Sequence, residues 1–508
     1  MDICQWEPQT QTSMVQYFKN LQQLTPGPSI PTRTLQTVYA GVDVWPDRSQ
    51  YGNSGYCCYR AITYTAPLGF STALFAPGWT WESKTQDPEQ HWDVWWGNER
   101  RLWLGPLHPD ETIPVPPSPE GPFKPMTAFF QTSPPPNPSN FVFITSFSPG
   151  VGYSWFVEGK KVLQTKVGWT DIDKQSSLGN LVWPWPSLSW QGAEPETSPP
   201  IGSTTLDMTD GYNGGNTLRL ALEYTGKKPD DTVKTVWLPI QSLTLTTRES
   251  FEVRLVYKTT AGSNVNVNSQ IYVKSLSYDV IASAGFTAGL VTVSDLPRGW
   301  TQQTINFRST STRDTASVAI GLLVGFKPED PFTKVAFSFS LGQLAVYPSP
   351  PPPSVSVGIP SIKWARFTPS ALSHPPAPHV ADPLQGVVTW DTVFTLAPID
   401  AKVTNPESTA PAWLLQDTAA YRLPTFVYFN IYATPLLGHS VDVDPSEAVF
   451  IGTTGLDGRG NGFYTERACF PDNWDRLSGV RFCIQGVTDR GDVLPWERCA
   501  TVDHILFN

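Results

Sequence analysis

The hydrophobic rhythm of this chain changes near residue 160, and that change limits its architecture more than any single motif. Before it, apolar runs stand at 35–45 (LQTVYAGVDVW), 69–77 (GFSTALFAP) and 141–147 (FVFITSF). Near-continuous apolar runs of this length suit strands buried on both faces, as in parallel sheets. Between them lie a candidate helix around YCCYRAITYTA and a Trp-rich loop and helix, WTWESKTQDPEQHWDVWWGNERRLW. Strand, helix, strand, helix, strand is the βα rhythm of a parallel sheet or barrel. A further helix is expected over 13–24, where Met14, Phe18, Leu21 and Leu24 share a face. Ser13 is placed to cap it, and Pro26-Gly27-Pro28 ends it. A proline-rich insertion fills about 105–139.

Beyond residue 160 the runs are short and mostly alternate: NTLRLALEY, ESFEVRLVYKTT, SQIYVKSLSYDVI, ASVAIGLLVGF and KVAFSFSLGQLAVY. Alternation with turns between predicts an antiparallel sandwich. PSPPPPSVSVGIP, residues 348–360, is a stiff linker. GVVTWDTVFTLAP, TFVYFNIYAT, SEAVFIGTTG and SGVRFCIQGVT then predict a second, smaller sandwich. The expected division is 1–158, 159–347, 348–360 and 361–508.

The net charge of −10 argues against a nucleic-acid or anionic-membrane partner, since both reward clustered Lys and Arg. The first residues lack a basic start and an apolar signal core, and no run of about 18 apolar residues suggests a membrane span. A soluble cytosolic protein is expected. The six cysteines are too sparse for a disulfide scaffold and form no CxxC pair, so buried thiols are expected and no metal or other cofactor. The oligomeric state is open.

The stretch FVFITSFSPGVGYSWFVEGK (141–160) poses a choice between a phosphate loop and a strand exit. SPGVGYSW has no Lys-Ser/Thr ending and opens no helix, so the strand exit with a glycine turn is preferred. Its order with other motifs adds a resemblance. VYAGVDVW (38–45), DRSQYGNSGY (47–56), STALFAPGWTWE (71–82) and FITSFSPGVGYSWFVEGK (143–160) stand as in glycoside hydrolase family 85, the cytosolic endo-β-N-acetylglucosaminidases. GWTDIDKQSSLGNLVWPW (168–185) and DGYNGGNTLRLALEY (210–224) resemble that family's first sandwich.

The resemblance implies that the three apolar strands are the last three of a (β/α)8 TIM barrel, followed by two antiparallel β-sandwich domains, the first carbohydrate-binding-like. Such a barrel needs about 250 residues and eight strands. Its earlier strands are therefore expected to be missing here. The implied activity is hydrolysis of the bond between the two core N-acetylglucosamines of an N-glycan or glycoprotein. The implied mechanism is substrate-assisted: the 2-acetamido oxygen attacks the anomeric carbon while a Glu serves as acid and then base. The family supplies the Glu in an Asn-x-Glu motif, with a Tyr-Asp-Ser on the next strand. Here the only Asn-x-Glu is Asn405-Pro406-Glu407, in the region of the expected C-terminal sandwich, and Tyr-Asp-Ser is absent. No catalytic residue is carried over, and these residues alone are expected to turn over little or nothing.

Substrate-groove candidates are carried over: Asp43 and Trp45 after one strand, and Trp79, Trp81 and Glu82 after the next. The carboxyl ends of barrel strands form the active face. Tryptophan faces stack on pyranose rings, and carboxylates hydrogen-bond sugar hydroxyls. The plainer alternatives are loop packing for the tryptophans and a cap for Asp43. Trp183, Trp185 and Trp190 suit core or interdomain packing, and GYNGGN (211–216) suits a tight turn. Ser71, in a GFSTA pattern, lies too early in its strand for a nucleophile elbow. His374 and His379 lack metal spacing, and DVDPSE (442–447) lacks the EF-hand glycine. A non-catalytic carbohydrate-binding sandwich protein is the alternative function. A tandem-sandwich capsid subunit is disfavoured by the acidic balance and the early βα rhythm.

Overall fold

The protein was analysed as a computed structural model. It describes residues 8–24, 35–45, 55–83, 92–106, 111–130, 135–139, 142–179, 189–191, 200–226, 233–247, 249–276, 286–310, 313–330, 332–349, 360–370, 382–393, 424–436, 447–455, 461–474 and 477–506. The chain falls into two compact units, Met1–Pro134 with Leu181–Trp185, and Pro135–Asn180 with Pro186–Asn508.

The first unit contains α1 (Pro8–Leu24), β1 (Tyr39–Asp43), α2 (Tyr59–Thr65), β2 (Ser71–Phe75), α3 (Trp79–Glu82) and α4 (Trp92–Leu104). Helix α1 starts at Pro8 rather than near Ser13, because proline is pre-set for a first helical position. Its Met14 and Val15 pack against Ala40 and Phe70. Strands β1 and β2 pair in parallel, from Tyr39 opposite Ser71 to Asp43 opposite Phe75. Parallel neighbours need a crossover, and α2 lies within it. Val42, Val44, Cys58, Tyr59, Ile62, Leu102 and Met126 form the core of this unit. The burial expected on both faces holds for neither strand in full. Tyr39 is exposed, and β2 runs half-buried to exposed, ending at Phe75. Among the described residues β2 pairs with β1 alone, so its other edge has no strand against it.

The third apolar run departs from expectation. Strand β3 (Phe143–Thr145) does not join the parallel pair. It pairs antiparallel with β16 (Val335–Pro348) in the second unit, Thr145 opposite Leu344. An apolar run marks a buried strand but not the sheet that buries it. Phe147, at φ 56°, turns the chain out of β3. Strands β4 (Pro149–Val157) and β5 (Lys160–Gln175) then form a hairpin. Glu158 and Gly159 both have positive φ, as a two-residue type I′ turn requires. Residues 142–160 thus form a strand exit followed by a hairpin turn.

The second unit continues through β6 (Ser189–Gln191), β7 (Ile201–Asp207), β8 (Thr217–Tyr224), β9 (Lys234–Thr246), β10 (Ser250–Ala261), β11 (Val265–Ser275), β12 (Phe286–Ala288), β13 (Thr292–Leu296), β14 (Trp300–Ser309), β15 (Thr315–Pro328) and β16. One sheet has the order β12-β14-β10-β16-β8-β7, with β13 on β14 and β3 on β16; a second runs β11-β15-β9-β6. Phe326 of β15 meets Tyr224 of β8 at 5.3 Å and Phe337 of β16 at 5.1 Å between ring centroids, so inward aromatics of the two sheets touch. The chain ends with β17 (Ser361–Pro369), β18 (Gly386–Val393), β19 (Phe426–Leu436), β20 (Val449–Thr453), β21 (Gly462–Thr465), β22 (Gly479–Thr488) and β23 (Ala500–Ile505). These make sheets β17-β18-β21 and β20-β19-β22-β23. Phe367, Val388 and Trp390 of the first share one core with Phe429, Ile431, Phe482 and Ile484 of the second. Most of the proline linker lies outside the described residues. Among the described residues no helix is long and apolar enough to cross a membrane.

Candidate site at the carboxyl end of the parallel strands

Strands β1 and β2 end side by side, and the backbone N–H of Val44 still donates to Phe75 O at 3.1 Å. All five groove candidates leave from this end. Asp43 and Trp45 follow β1; after β2, Ala76 at φ 51° bends the chain into α3, which holds Trp79, Trp81 and Glu82. A non-glycine residue in the left-handed region is an uncommon, strained conformation.

The side chains divide by role. Asp43 is buried, and its Oδ1 accepts the Trp45 backbone N–H at 2.9 Å, fixing the strand exit. Trp45 is half-buried. Trp79 packs edge-to-face on Tyr56 at 5.2 Å, and a Cβ on Gly55 would fall 2.2 Å from its indole. It is part of the wall of the first unit's core. Trp81 is 41% exposed and meets Trp95 edge-to-face at 6.2 Å. Glu82 is exposed, with its N–H donated to Gly78 O. An aromatic ring and a carboxylate are therefore accessible on one short helix, a pairing suited to a sugar's apolar face and hydroxyls.

Sequence reasoning missed the support behind them. Buried Thr80 donates to Glu99 Oε2 at 2.6 Å and accepts from Trp95 Nε1 at 3.2 Å. Glu99 Oε1 accepts Trp103 Nε1 at 2.8 Å within α4, so one carboxylate oxygen holds α3 to α4 and the other is engaged one turn along its own helix. The spacing of Glu99 and Trp103 on one helical turn was the only available signal. Tyr56 OH lies 3.3 Å from Asn98 Oδ1. Burial pushes the Tyr56 phenol up to about 12, against the lowering pull of Arg101.

The other motifs resolve individually. Ser71 begins β2 and its Oγ donates to Gln36 O at 2.7 Å, a satisfied strand-entry hydroxyl. Of GYNGGN, Tyr212, Asn213 and Asn216 are buried, and only Gly214 has positive φ. The asparagines therefore serve as hydrogen-bonding side chains rather than as φ-tolerant turn residues. Cys57, Cys58, Cys469, Cys483 and Cys499 are free thiols. Burial, with Cys57 adjacent, pushes the Cys58 thiol up to about 12. Among the described residues no group of three His, Cys, Asp or Glu is placed to hold a metal. Trp183, Trp185, His374, His379, Asn405 and Glu407, the Trp190 side chain, and most of DVDPSE lie outside the described residues.

Comparison with solved structures gives the glycoside hydrolase domain of Endo-D from Streptococcus pneumoniae R6, at TM-score 0.51 and 16% identity, covering 99% of this chain and 61% of that one. The chain thus spans less than two thirds of that domain, and at this identity the likeness concerns the fold. The adhesin domain of Epf from Streptococcus pyogenes gives a TM-score of 0.19 at 10% identity, covering 58% of this chain and 77% of that one. A β-1,2-glucanase from Parabacteroides distasonis gives 0.24 at 11%, covering 63% and 36%. Neither of these two carries an argument. No curated protein matches the sequence. The glycosyl hydrolase family 85 model matches residues 4–155, the span that holds β1, β2, the five candidates and the SPGVGYSW exit. Residues 4–155 are thus similar to glycosyl hydrolase family 85.

Proposed function

We propose that this chain is of endo-β-N-acetylglucosaminidase lineage, engages N-glycan cores at the carboxyl end of β1 and β2, and by itself does not hydrolyse them. The observation that carries the reading is the family match over the segment holding Trp81 and Glu82 at that end. The β1–β2 pair is read as a fragment of a (β/α)8 barrel. The second unit is read as two antiparallel sandwiches, one closing at Pro348 and one opening at Ser361. The location is read as cytosolic.

The chemistry requires a carboxylic acid within hydrogen-bond reach of the leaving oxygen, with its pKa raised toward the working pH. Asp43 and Glu99 are committed to Trp45 N–H, and to Thr80 and Trp103. Asn405-Pro406-Glu407, the one Asn-x-Glu in the sequence, contains a proline where a strand-end pair would need a regular backbone. Binding without turnover follows. The test is incubation of this chain with a high-mannose N-glycopeptide, reading released glycan and bound glycopeptide together. Binding that falls in Trp81→Ala, with no release, is expected. Release of glycan ending in one N-acetylglucosamine overturns the inactivity, and absence of binding overturns the groove.

A further inference from the structure

The outer face of the β11-β15-β9-β6 sheet carries a trough that the family resemblance does not assign. Along β11, Asn266, Asn268, Gln270 and Tyr272 are exposed, while Val265, Ile271 and Val273 are buried. The period-2 alternation of a strand puts the exposed four on one face. Across the ladder they stand opposite Lys327, Gly325, Leu323 and Gly321 of β15. The missing side chain at Gly325 opens a cavity of about 370 Å³, lined by these amides with Thr235 of β9 and Lys327. That volume lies in the range of small-molecule sites.

Three features specify the occupant. The carboxamides of Asn266, Asn268 and Gln270 make no hydrogen bond among the described residues, although β11 pairs with β15 along its whole length. A carboxamide both donates and accepts, as a sugar hydroxyl does. The lining contains no carboxylate and one cation, so it favours an uncharged ligand over a polyanion or a metal. Tyr272, 48% exposed, continues the amide row. Its ring is held edge-on by Trp237 at 5.9 Å, and Trp237 in turn lies over Gly321, where a Cβ would come within 2.6 Å. A braced, half-exposed aromatic beside unpaired amides can stack a pyranose and bond its hydroxyls.

We propose that the trough over Gly325, between the β11 amide row and Thr235, binds a neutral oligosaccharide, with Tyr272 as the stacking platform. This goes beyond the proposed groove on the first unit and does not depend on it.

Calorimetric titration of the full chain with mannotriose and with chitotriose tests it. The expected result is saturable binding of at least one, weakened tenfold or more by Tyr272→Ala and by Gly325→Leu. Gly325 has no positive φ, and an added Cβ meets only Val233 at 3.4 Å, so the leucine fills the trough with little backbone strain. If its unfolding midpoint nevertheless drops, Asn268→Ala, on an exposed side chain, replaces it. Three results overturn the proposal: no binding of either trisaccharide, binding indifferent to the trough variants, or tighter binding of anionic trigalacturonate. Loss in Trp81→Ala with retention in Tyr272→Ala assigns the sugar to the first unit and likewise overturns it.

Discussion

The side-chain oxygen of Asn213 accepts the backbone N–H of Glu158 at 2.9 Å, joining positions 55 residues apart. The same amide donates to Gln343 Oε1 at 3.0 Å and to Gly491 O at 3.2 Å. One buried side chain thus ties the β4–β5 turn, strand β16 and the loop after β22 together. Backbone bonds reinforce it: Phe156 and Gly214 exchange N–H and C=O, and Gly159 N donates to Tyr212 O. Each buried group left without a partner costs about 1–3 kcal/mol. Asn213→Ala should lower unfolding stability by roughly 3 kcal/mol, read from urea denaturation. Asn213→Asp keeps the acceptor, loses both donors, and should recover little. A loss under about 0.5 kcal/mol, the ordinary surface value, would show that the amide is not the tie.

Arg254 links the large sheet to the same loop. Its Nε lies 2.7 Å from Glu252 Oε1 and its Nη1 3.0 Å from Asp492 Oδ1. Tyr347 OH also donates to Glu252, and the Arg490 guanidinium stands 4.5 Å over the Tyr347 ring. Glu252 is 7% exposed, so removing its partner leaves a charge with little water. Arg254→Met should cost about 3–5 kcal/mol. Combining it with Glu252→Gln, which keeps an acceptor for Tyr347, should restore much of that loss. Asp492 is 57% exposed, and Asp492→Asn should change stability by less than about 1 kcal/mol. A double variant no better than Arg254→Met would refute the uncompensated-charge account.

The sequence made some elements legible and hid others for definite reasons. The runs at β8, β10, β15, β16 and β22 announced themselves because they are rich in core-facing apolar residues: β8 alternates buried with more exposed positions, while β16 and β22 are buried at nearly every position. Strand β9 carries Pro239, which normally demotes a strand. It survives because Pro239 faces Gly321 where the register with β15 shifts. Strand β14, WTQQTINFRS, looks polar, yet Gln303 is buried and bonds Tyr257 OH and Ser269 O. Such a network leaves no trace in a hydrophobic pattern. At the candidate site, the two strand ends and their residues were readable from motif order. The Thr80–Glu99–Trp103 support was not, because Thr80 and Glu99 come from different helices across residues with no periodic signal.

Gly55 and Trp79 give a test of that support in the first unit. The indole occupies the space of an absent Cβ, with ring carbons at 2.2–2.3 Å from where it would sit. Backbone and a fused ring cannot both yield within that distance, so Gly55→Ala must displace Trp79 from Tyr56. Overpacking of this kind costs about 1–3 kcal/mol. Differential scanning calorimetry should show a lowered transition for Gly55→Ala, and glycopeptide binding should weaken with it. Gly55→Ala combined with Trp79→Leu should regain part of the lost stability. An unaltered transition in the single variant would mean that the indole has room to move.

Asp489 predicts how the second unit responds to pH. It is 9% exposed, and burial raises its carboxyl above the ordinary 3.8, while Arg490 and the bonds from Thr425 pull it down without cancelling the effect. A raised folded-state pKa means that the native protein holds the proton longer than the unfolded chain. The associated stability is therefore complete below the unfolded pKa and is lost as pH rises through the folded one. Asp489→Asn removes the titration and keeps one acceptor for Thr425. Wild-type stability minus variant stability should thus fall as pH rises past the unfolded aspartate pKa, and level off once the folded carboxyl has ionised. Glu158, also raised by burial and by Asp492 against the pull of Arg298, adds to the wild-type decline in the same direction. Urea midpoints at several pH values decide it: curves that run parallel for wild type and variant would mean that Asp489 titrates alike in both states.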